Sequence, residues 1–242
     1  MPIKTILMAL GLLFSSIGYT TINIGTLIFK PPYIFSPKNG FDIDLAQLLC
    51  QRLKEQCNFI PMGINELYKK LQEGKVDLAM GGIPISYELK TNFIFSLPYM
   101  LSKGQFLVLK NSQINSINGL QGKKVGILQN PLNGGLFYEY LLEHYSKLFQ
   151  IKLYEDIEDV LADLHNKTIS AAFLNRSSVN YWTHEGGNQF KPLGDVDEIG
   201  DGIVILASPK NQELIDRINN ALKAIEKDNT YMKLYNTYFS DE

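Results

Sequence analysis

Short apolar strands alternate with helices in two separate runs, and this repeat constrains the fold more than any other feature of the sequence. The first run has strands at 21–28, 57–61 and 76–80, with helices after Gly40 and at 65–73. The second run has strands at 123–129, 150–154 and 168–174, with helices at 135–148 and 156–165. Strands separated by helices pair in parallel, because the helix carries the chain back across the sheet. The pattern therefore predicts an α/β fold with two sheets.

Two extended apolar segments, 105–111 and 203–210, flank the second run, and residues 211–239 are predicted to be helical. If this helical segment returns to the first run, the second run is an insertion between two connecting strands. The predicted boundaries are 19–108 and 206–242 for lobe 1, and 109–205 for lobe 2. Ligands of open α/β sheets bind at the carboxyl ends of the strands, so the cleft between the lobes is the expected site.

Residues 1–18 are predicted to be a secretory signal peptide. Lys4 precedes an apolar run over 5–14, and Ser16 and Gly18 supply the small side chains that a signal peptidase requires. The run is shorter than the ~20 residues of a membrane span; a buried first helix is the alternative. No cysteine lies near the cleavage site, so we expect a mature periplasmic protein without a lipid anchor.

Cys50 and Cys57 are the only cysteines of the chain. Seven helical residues span about 10.5 Å, whereas a disulfide requires Cα atoms within about 7 Å. The apolar helical spacing ends before Lys54 and a short strand follows at 57–61, so Cys57 can turn back beside Cys50. An oxidising compartment favours a disulfide between them, and two buried free thiols are the alternative.

Composition and motifs argue against several classes of function. A net charge of −2 gives no basic face for a nucleic-acid partner. His144, His165 and His184 lack metal-ligand spacing, so no metal and no cofactor is expected. No pairing of a nucleophile with a base is evident, which weakens an enzymatic function without excluding it. Asp42 is predicted to act as a negative charge at a helix N-terminus.

Segments along the whole chain resemble periplasmic polar-amino-acid-binding proteins, especially the lysine/arginine/ornithine and histidine binders. The matching segments are GFDIDLAQLLCQRLKEQC (40–57), GKVDLAMGGIPIS (74–86), FSLPYM (95–100), LQGKKVGILQ (120–129), ISAAFLN (169–175), IGDGIVILASPKNQEL (199–214) and DNTYMKLYNTYF (228–239). The resemblance implies a monomeric, hinged type II periplasmic binding protein with a Cys50–Cys57 disulfide. It also implies delivery of a small ligand to an inner-membrane ABC permease.

The resemblance implies a ligand site in which most charged anchors of the family are replaced. The candidate ligand-binding residues are Phe29, Lys30, Tyr33, Ile64, Gly81, Gly82, Pro84, Leu89, Lys90, Leu128, Leu132, Asn133 and Asn175. The family's stacking aromatic becomes Lys30, and the arginine that binds the α-carboxylate becomes Leu89. The aspartate that binds the α-amino group becomes Asn175. A less charged or modified ligand is therefore expected, unless Lys30 or Lys90 supplies the missing cation.

The principal prediction is a periplasmic solute-binding protein that delivers an amino acid or a related small polar ligand to an ABC importer. Two other functions stay open. A lyase-like enzyme could use the same scaffold, with Lys30 or Lys90 as its acid/base group in the cleft. The other alternative is a sensory or partner-binding module that has lost small-molecule binding.

Overall fold

The computed structural model describes residues 21–130 and 135–239. The predicted signal peptide at 1–18 lies outside these residues. The strands are β1 (Thr21–Thr26), β2 (Gln56–Pro61), β3 (Leu78–Pro84), β4 (Ile94–Phe95), β5 (Lys103–Leu109), β6 (Lys124–Leu128), β7 (Gln150–Tyr154), β8 (Ala171–Asn175), β9 (Phe190–Glu198) and β10 (Ile203–Ala207). The helices are α1 (Phe41–Leu53), α2 (Ile64–Glu73), α3 (Tyr87–Asn92), α4 (Leu136–Tyr145), α5 (Ile157–His165), α6 (Arg176–Glu185), α7 (Gln212–Lys227) and α8 (Thr230–Phe239).

The strands form two five-stranded sheets, in the orders β2-β1-β3-β10-β4 and β7-β6-β8-β5-β9. In the first sheet β1 pairs in parallel with β2 and β3, and in the second sheet β6 pairs in parallel with β7 and β8. β10 and β5 are antiparallel to their neighbours. The predicted α/β architecture with two sheets is confirmed, and each sheet also contains an antiparallel strand that follows a crossing from the other lobe.

The chain passes between the two sheets at 96–102 and again at 199–202. β5 therefore belongs wholly to the second sheet and β10 wholly to the first. The predicted lobe boundaries after residues 108 and 205 fall inside these two strands. The sequence marks both segments as extended and apolar, but it does not show which sheet supplies their hydrogen-bond partners. At the second crossing Gly200 and Gly202 have φ of 75° and 116°, a backbone conformation that favours glycine.

Three elements have no clear signal in the sequence pattern. α3 is a single short helix, and α6 has the polar sequence RSSVNYWTHE, which lacks the apolar stripe of an amphipathic helix. β9 contains Pro192 and Gly194, which weaken a strand but are tolerated here because β9 lies at the edge of its sheet. The helical segment predicted at 211–239 is divided into α7 and α8, with Asn229 at a φ of 59° between them.

Each lobe packs around aromatic side chains. In lobe 1 the ring of Phe41 on α1 lies 4.9 Å from the ring of Phe239 at the end of α8. In lobe 2 the ring of Phe106 on β5 lies 4.7 Å from the ring of Phe173 on β8. The C-terminal helix therefore packs on the first lobe, as the sequence predicts, and the second lobe is an insertion.

The disulfide between Cys50 and Cys57 is present, with the two Cα atoms 6.1 Å apart. α1 ends because Lys54 takes a left-handed conformation with a φ of 58°, and the N–H of Glu55 donates to the carbonyl of Cys50. This reversal starts β2 at Gln56 and brings Cys57 back beside the last turn of the helix. The prediction of a disulfide is confirmed, and the alternative of two free thiols is wrong.

Replacing both cysteines, in the double variant Cys50→Ser with Cys57→Ser, should lower the free energy of unfolding by about 2–3 kcal/mol. The disulfide stabilises the fold because it restricts the unfolded chain. The expected loss is modest because the bond closes a short loop, and short loops restrict the unfolded chain less than long ones. Urea unfolding of the wild type and the variant measures the difference, and adding a reductant to the wild type should reproduce it. Two thiols that alkylate in the native oxidised protein would contradict the assignment.

Candidate functional site

A cavity lies between the two lobes, where β1, β3, β6, β7 and β8 end. Its apolar wall consists of Leu27, Pro31, Ile64, Ile83, Pro84, Leu128, Leu136, Phe137, Ile157, Phe173 and Leu174. The other described lining residues are Lys30, Tyr68, Gln129, Asn130, Gly135, Glu155, Asn175 and Ser178. The cavity therefore occupies the carboxyl ends of the strands, where the sequence predicts the site.

Five of the predicted ligand-binding residues lie on the cavity wall: Lys30, Ile64, Pro84, Leu128 and Asn175. They come from both lobes, because Leu128 and Asn175 end β6 and β8 whereas the other three lie in lobe 1. Their contact with a ligand stays a prediction. Leu132 and Asn133 are also predicted to bind ligand, and both lie outside the described residues.

Phe29, Tyr33, Gly81 and Gly82 are absent from the described lining of the cavity. The ring of Phe29 packs against Trp182 of α6, with centroids 6.4 Å apart. Tyr33 is buried in the lobe 1 core, and its ring lies directly under Gly82. Phe29 therefore packs against lobe 2, whereas the other three residues lie in lobe 1.

The structure separates Leu89 and Lys90 from the cavity. Leu89 is fully buried in lobe 1, in an apolar cluster with Phe93 and Val204. Lys90 is exposed, and its Nζ lies 2.6 Å from Oδ2 of Asp201. α3 turns these side chains toward the core and toward solvent, so neither of them lines the cavity. The sequence could not show this orientation because α3 carries too few residues for a periodic pattern.

Gly82 connects three polar side chains at the lobe 1 side of the cavity. Its N–H donates to Oδ2 of Asp42 over 2.7 Å, and its carbonyl accepts from Nζ of Lys30 over 2.9 Å. Nδ2 of Asn175, from the opposite lobe, lies 3.5 Å from the same carbonyl. Asp42 also accepts from the hydroxyl of Tyr99 over 2.9 Å. Side-chain hydrogen bonds therefore hold both the N–H and the carbonyl of Gly82 at the end of β3.

Asp42 is at the first turn of α1, as predicted, but its carboxylate is fully buried. It accepts from the N–H of Gly82 and the hydroxyl of Tyr99. Burial raises the pKa of Asp42 to about 6, against the lowering effect of the hydrogen bonds from Gly82 and Tyr99 and of the Lys30 charge. Burial lowers the pKa of Lys30 to about 8, against the raising effect of Asp42. The two groups carry opposite charges at neutral pH.

Hydrogen bonds join the lobes across the cavity. Oγ of Ser178 on α6 donates to the carbonyl of Pro31 over 2.8 Å. The hydroxyl of Tyr33 donates to Oγ of Ser177 over 3.3 Å. Nδ2 of Asn130 donates to the hydroxyl of Tyr68 over 3.0 Å. The structure is therefore a closed arrangement, in which α6 of lobe 2 rests on the loop that follows β1.

Several lining residues were not predicted from the sequence. Asn130 lies two residues after the end of β6 and Glu155 directly follows β7, so the rule that sites form at strand ends could have found them. Ser178 lies in α6, which has no sequence signal. Tyr68 and Phe137 lie on predicted helices, where an aromatic residue is more often part of the core. These two required the structure.

A methyl group at Gly82 would lie 2.7 Å from the buried ring of Tyr33, and the φ of Gly82 is 59°. Gly122 has a similar φ of 71° but no atom within 4 Å of such a group. Gly82→Ala should therefore lower the free energy of unfolding by about 2–4 kcal/mol, from left-handed strain and overpacking together. Gly122→Ala should lower it by about 1–2 kcal/mol, from strain alone. Chemical denaturation of both variants tests this, and equal losses would contradict the packing argument.

The raised pKa of Asp42 makes stability depend on pH. Between the unfolded value of 3.8 and the folded value of about 6, the folded protein binds more protons at Asp42 than the unfolded chain does. The contribution of Asp42 to stability should therefore fall as the pH rises through this window, by about 2–3 kcal/mol. Relative to Asp42→Asn, the wild type should lose this amount between about pH 4 and pH 6.5 in urea unfolding. Parallel stability curves for the two proteins would contradict the assignment.

Two α/β lobes closed around a cavity at their strand ends define a two-lobed binding protein. Residues 22–241 match the family described as bacterial extracellular solute-binding proteins, family 3, and the chain belongs to this family. In the part of the chain that the structure describes, no helix has the length and apolar character needed to cross a membrane. The described residues also contain no cluster of three or more His, Cys, Asp or Glu side chains suited to a metal ion.

Named relatives and a solved structure are similar to this chain in sequence and in fold. A putative ABC transporter arginine-binding protein 2 of Escherichia coli K12 is 28% identical over 237 residues, which cover 95% of each chain. The histidine-binding periplasmic protein of the same organism is 30% identical, over 90% of this chain and 87% of the relative. The crystal structure of an arginine transport-system periplasmic binding protein from Legionella pneumophila superposes with a TM-score of 0.85, at 34% identity, and covers 91% of this chain and all of that chain. The predicted resemblance and type II fold are confirmed.

Proposed function

We propose that this protein binds an amino acid or a closely related solute between its lobes and delivers it to an ABC importer. The observation that carries the proposal is the closed cavity, lined from both lobes and bridged by the hydrogen bond from Ser178 to the carbonyl of Pro31. The relatives named as arginine- and histidine-binding proteins support an amino-acid solute.

The proposed mechanism is closure of the lobes about the crossings at 96–102 and 199–202. A bound solute contacts residues of both lobes only when they are closed, so it shifts the population from open to closed forms. The permease then recognises the closed form. No bond of the solute is made or broken, so the protein is proposed to be a transport protein and not an enzyme.

We propose that residues 1–18 direct export to the periplasm, since the relatives include periplasmic proteins, and that the mature protein carries no lipid anchor. The partner is an inner-membrane permease, the protein acts as a monomer, and it has no nucleic-acid partner. The net charge of −2 agrees with the last point.

Solute binding should raise the thermal midpoint and compact the molecule. A thermal-shift screen of the amino acids identifies a binder, because a solute that binds the folded state stabilises it by mass action. Small-angle scattering should then show a smaller radius of gyration at saturation than without solute. An unchanged radius at saturation would contradict closure. Nuclear magnetic resonance of the solute after incubation should show it unaltered, and a new product would favour the lyase-like alternative.

Ser178→Ala should weaken the affinity for that solute about 2- to 10-fold, because the lost hydrogen bond contributes about 0.5–1.5 kcal/mol to the closed form alone. Thr183→Val is a matched control on the same helix, since Oγ1 of Thr183 donates to the carbonyl of Val179 within α6. Calorimetry of the control should give the wild-type affinity. Equal losses in the two variants would point to a general effect on α6 rather than to closure.

A further inference from the structure

The cavity has a strongly uneven distribution of charge. Lys30 is the one cation among its described lining residues, and it is half-buried on lobe 1. The one anion among them, Glu155, is exposed on lobe 2 and accepts from Nε2 of Gln129 over 3.0 Å. Most of the wall between these two charges is aliphatic or aromatic.

The ammonium of Lys30 has hydrogen-bond capacity left over in this site. An ammonium carries three N–H donors. Among the described residues, the carbonyl of Gly82 is the hydrogen-bond acceptor for Nζ, at 2.9 Å. The ring of Tyr33 lies with its centroid 5.7 Å from Nζ, which attracts the charge but takes no strong hydrogen bond. Two donors are therefore open to a group that enters the cavity.

The buried acid next to Lys30 does not satisfy these donors. The two oxygens of Asp42 accept from the N–H of Gly82 and from the hydroxyl of Tyr99. Asp42 acts on Lys30 through its charge, and burial still lowers the pKa of Lys30 to about 8. A half-buried cation with two open donors is stabilised by an anion that brings its own oxygens.

We propose that Lys30 is the residue that binds the carboxylate of the transported solute, whose aliphatic or aromatic portion lies against the apolar wall. The inference deepens the proposed function and rests on it. Asn175 is placed to assist, because its side chain approaches the same Gly82 carbonyl from lobe 2. A carboxylate on Lys30 would thus lie where the lobes meet, which links recognition to closure.

Lys90 provides a control within the chain. It is also a lysine of lobe 1, but it is exposed, its Nζ pairs with Asp201 at 2.6 Å, and it is absent from the described lining. Leu89 is fully buried in the core. A carboxylate anchor at either position would require α3 to be rearranged, whereas Lys30 requires no change in the backbone.

The test uses L-leucine, L-phenylalanine and L-arginine as probes, each with its carboxamide, and the wild type, Lys30→Met, Lys30→Gln and Lys90→Met proteins. Calorimetry should show that the acids which bind the wild type bind it much more tightly than their amides. Lys30→Met and Lys30→Gln should lose at least about 30-fold in affinity, since an uncompensated buried charge costs at least about 2 kcal/mol. Lys90→Met should keep the wild-type affinity. Lys30→Gln retains a donor for Gly82, and near-ultraviolet circular dichroism reports the folding of each variant.

The outcomes separate this inference from the function on which it rests. An acid that binds the wild type and both Lys30 variants equally would overturn the role of Lys30 and leave the function intact. Binding of the amides alone would do the same. If none of the amino acids shifts the thermal midpoint of the wild type or binds it in calorimetry, both the carboxylate anchor and the proposed amino-acid function fail. A selective loss of acid binding in the Lys30 variants, with Lys90→Met unaffected, supports both.

Discussion

The carboxylate of Asp42, enclosed between α1 and the end of β3, holds the N–H of Gly82 while Lys30 holds the carbonyl of the same residue. This pair of contacts fixes a glycine whose φ of 59° lets the backbone lie directly over the ring of Tyr33. The loop after β1, the first turn of α1 and the end of β3 are thereby tied together, and the lobe 1 wall of the cavity depends on them. A buried acid is unfavourable by itself, and hydrogen bonds from two donors and a nearby cation offset that cost.

Closure brings the two lobes into contact through a small number of polar groups set in apolar surroundings. Ser178 reaches the carbonyl of Pro31, and Asn130 reaches the hydroxyl of Tyr68. Each such bond contributes modestly, on the order of 1 kcal/mol, so the closed form by itself is not strongly favoured by them. A solute that fills the cavity contacts both walls at once. A small molecule can in this way shift the population of two large lobes from the open to the closed form.

The sequence predicted those features that are encoded by local pattern, and missed those that depend on orientation between elements. The alternation of strands and helices predicted both parallel cores, and the break of apolar spacing before Lys54 predicted the turn that brings Cys57 beside Cys50. The direction of the Leu89 side chain depends on how α3 packs on the sheet. A helix as short as α3 has too few residues for a hydrophobic periodicity that would show this. The burial of Asp42 could not be predicted from the sequence either. An acid at a helix start has the same sequence signature whether its carboxylate faces water or a backbone amide.

The pairing of β10 sets an order on the folding of the molecule. Lobe 2 is built from one continuous stretch, because its five strands all lie between Lys103 and Glu198. Lobe 1 lacks a strand between β3 and β4 until residues 203–207 arrive, and its aromatic core lacks Phe239 until the chain is nearly complete. When the chain is made from its N-terminus, the inserted lobe can close its own sheet while the lobe that was made first remains unfinished. The sheet of lobe 1, whose loops carry Lys30, can therefore be completed only after every strand of lobe 2 has been made.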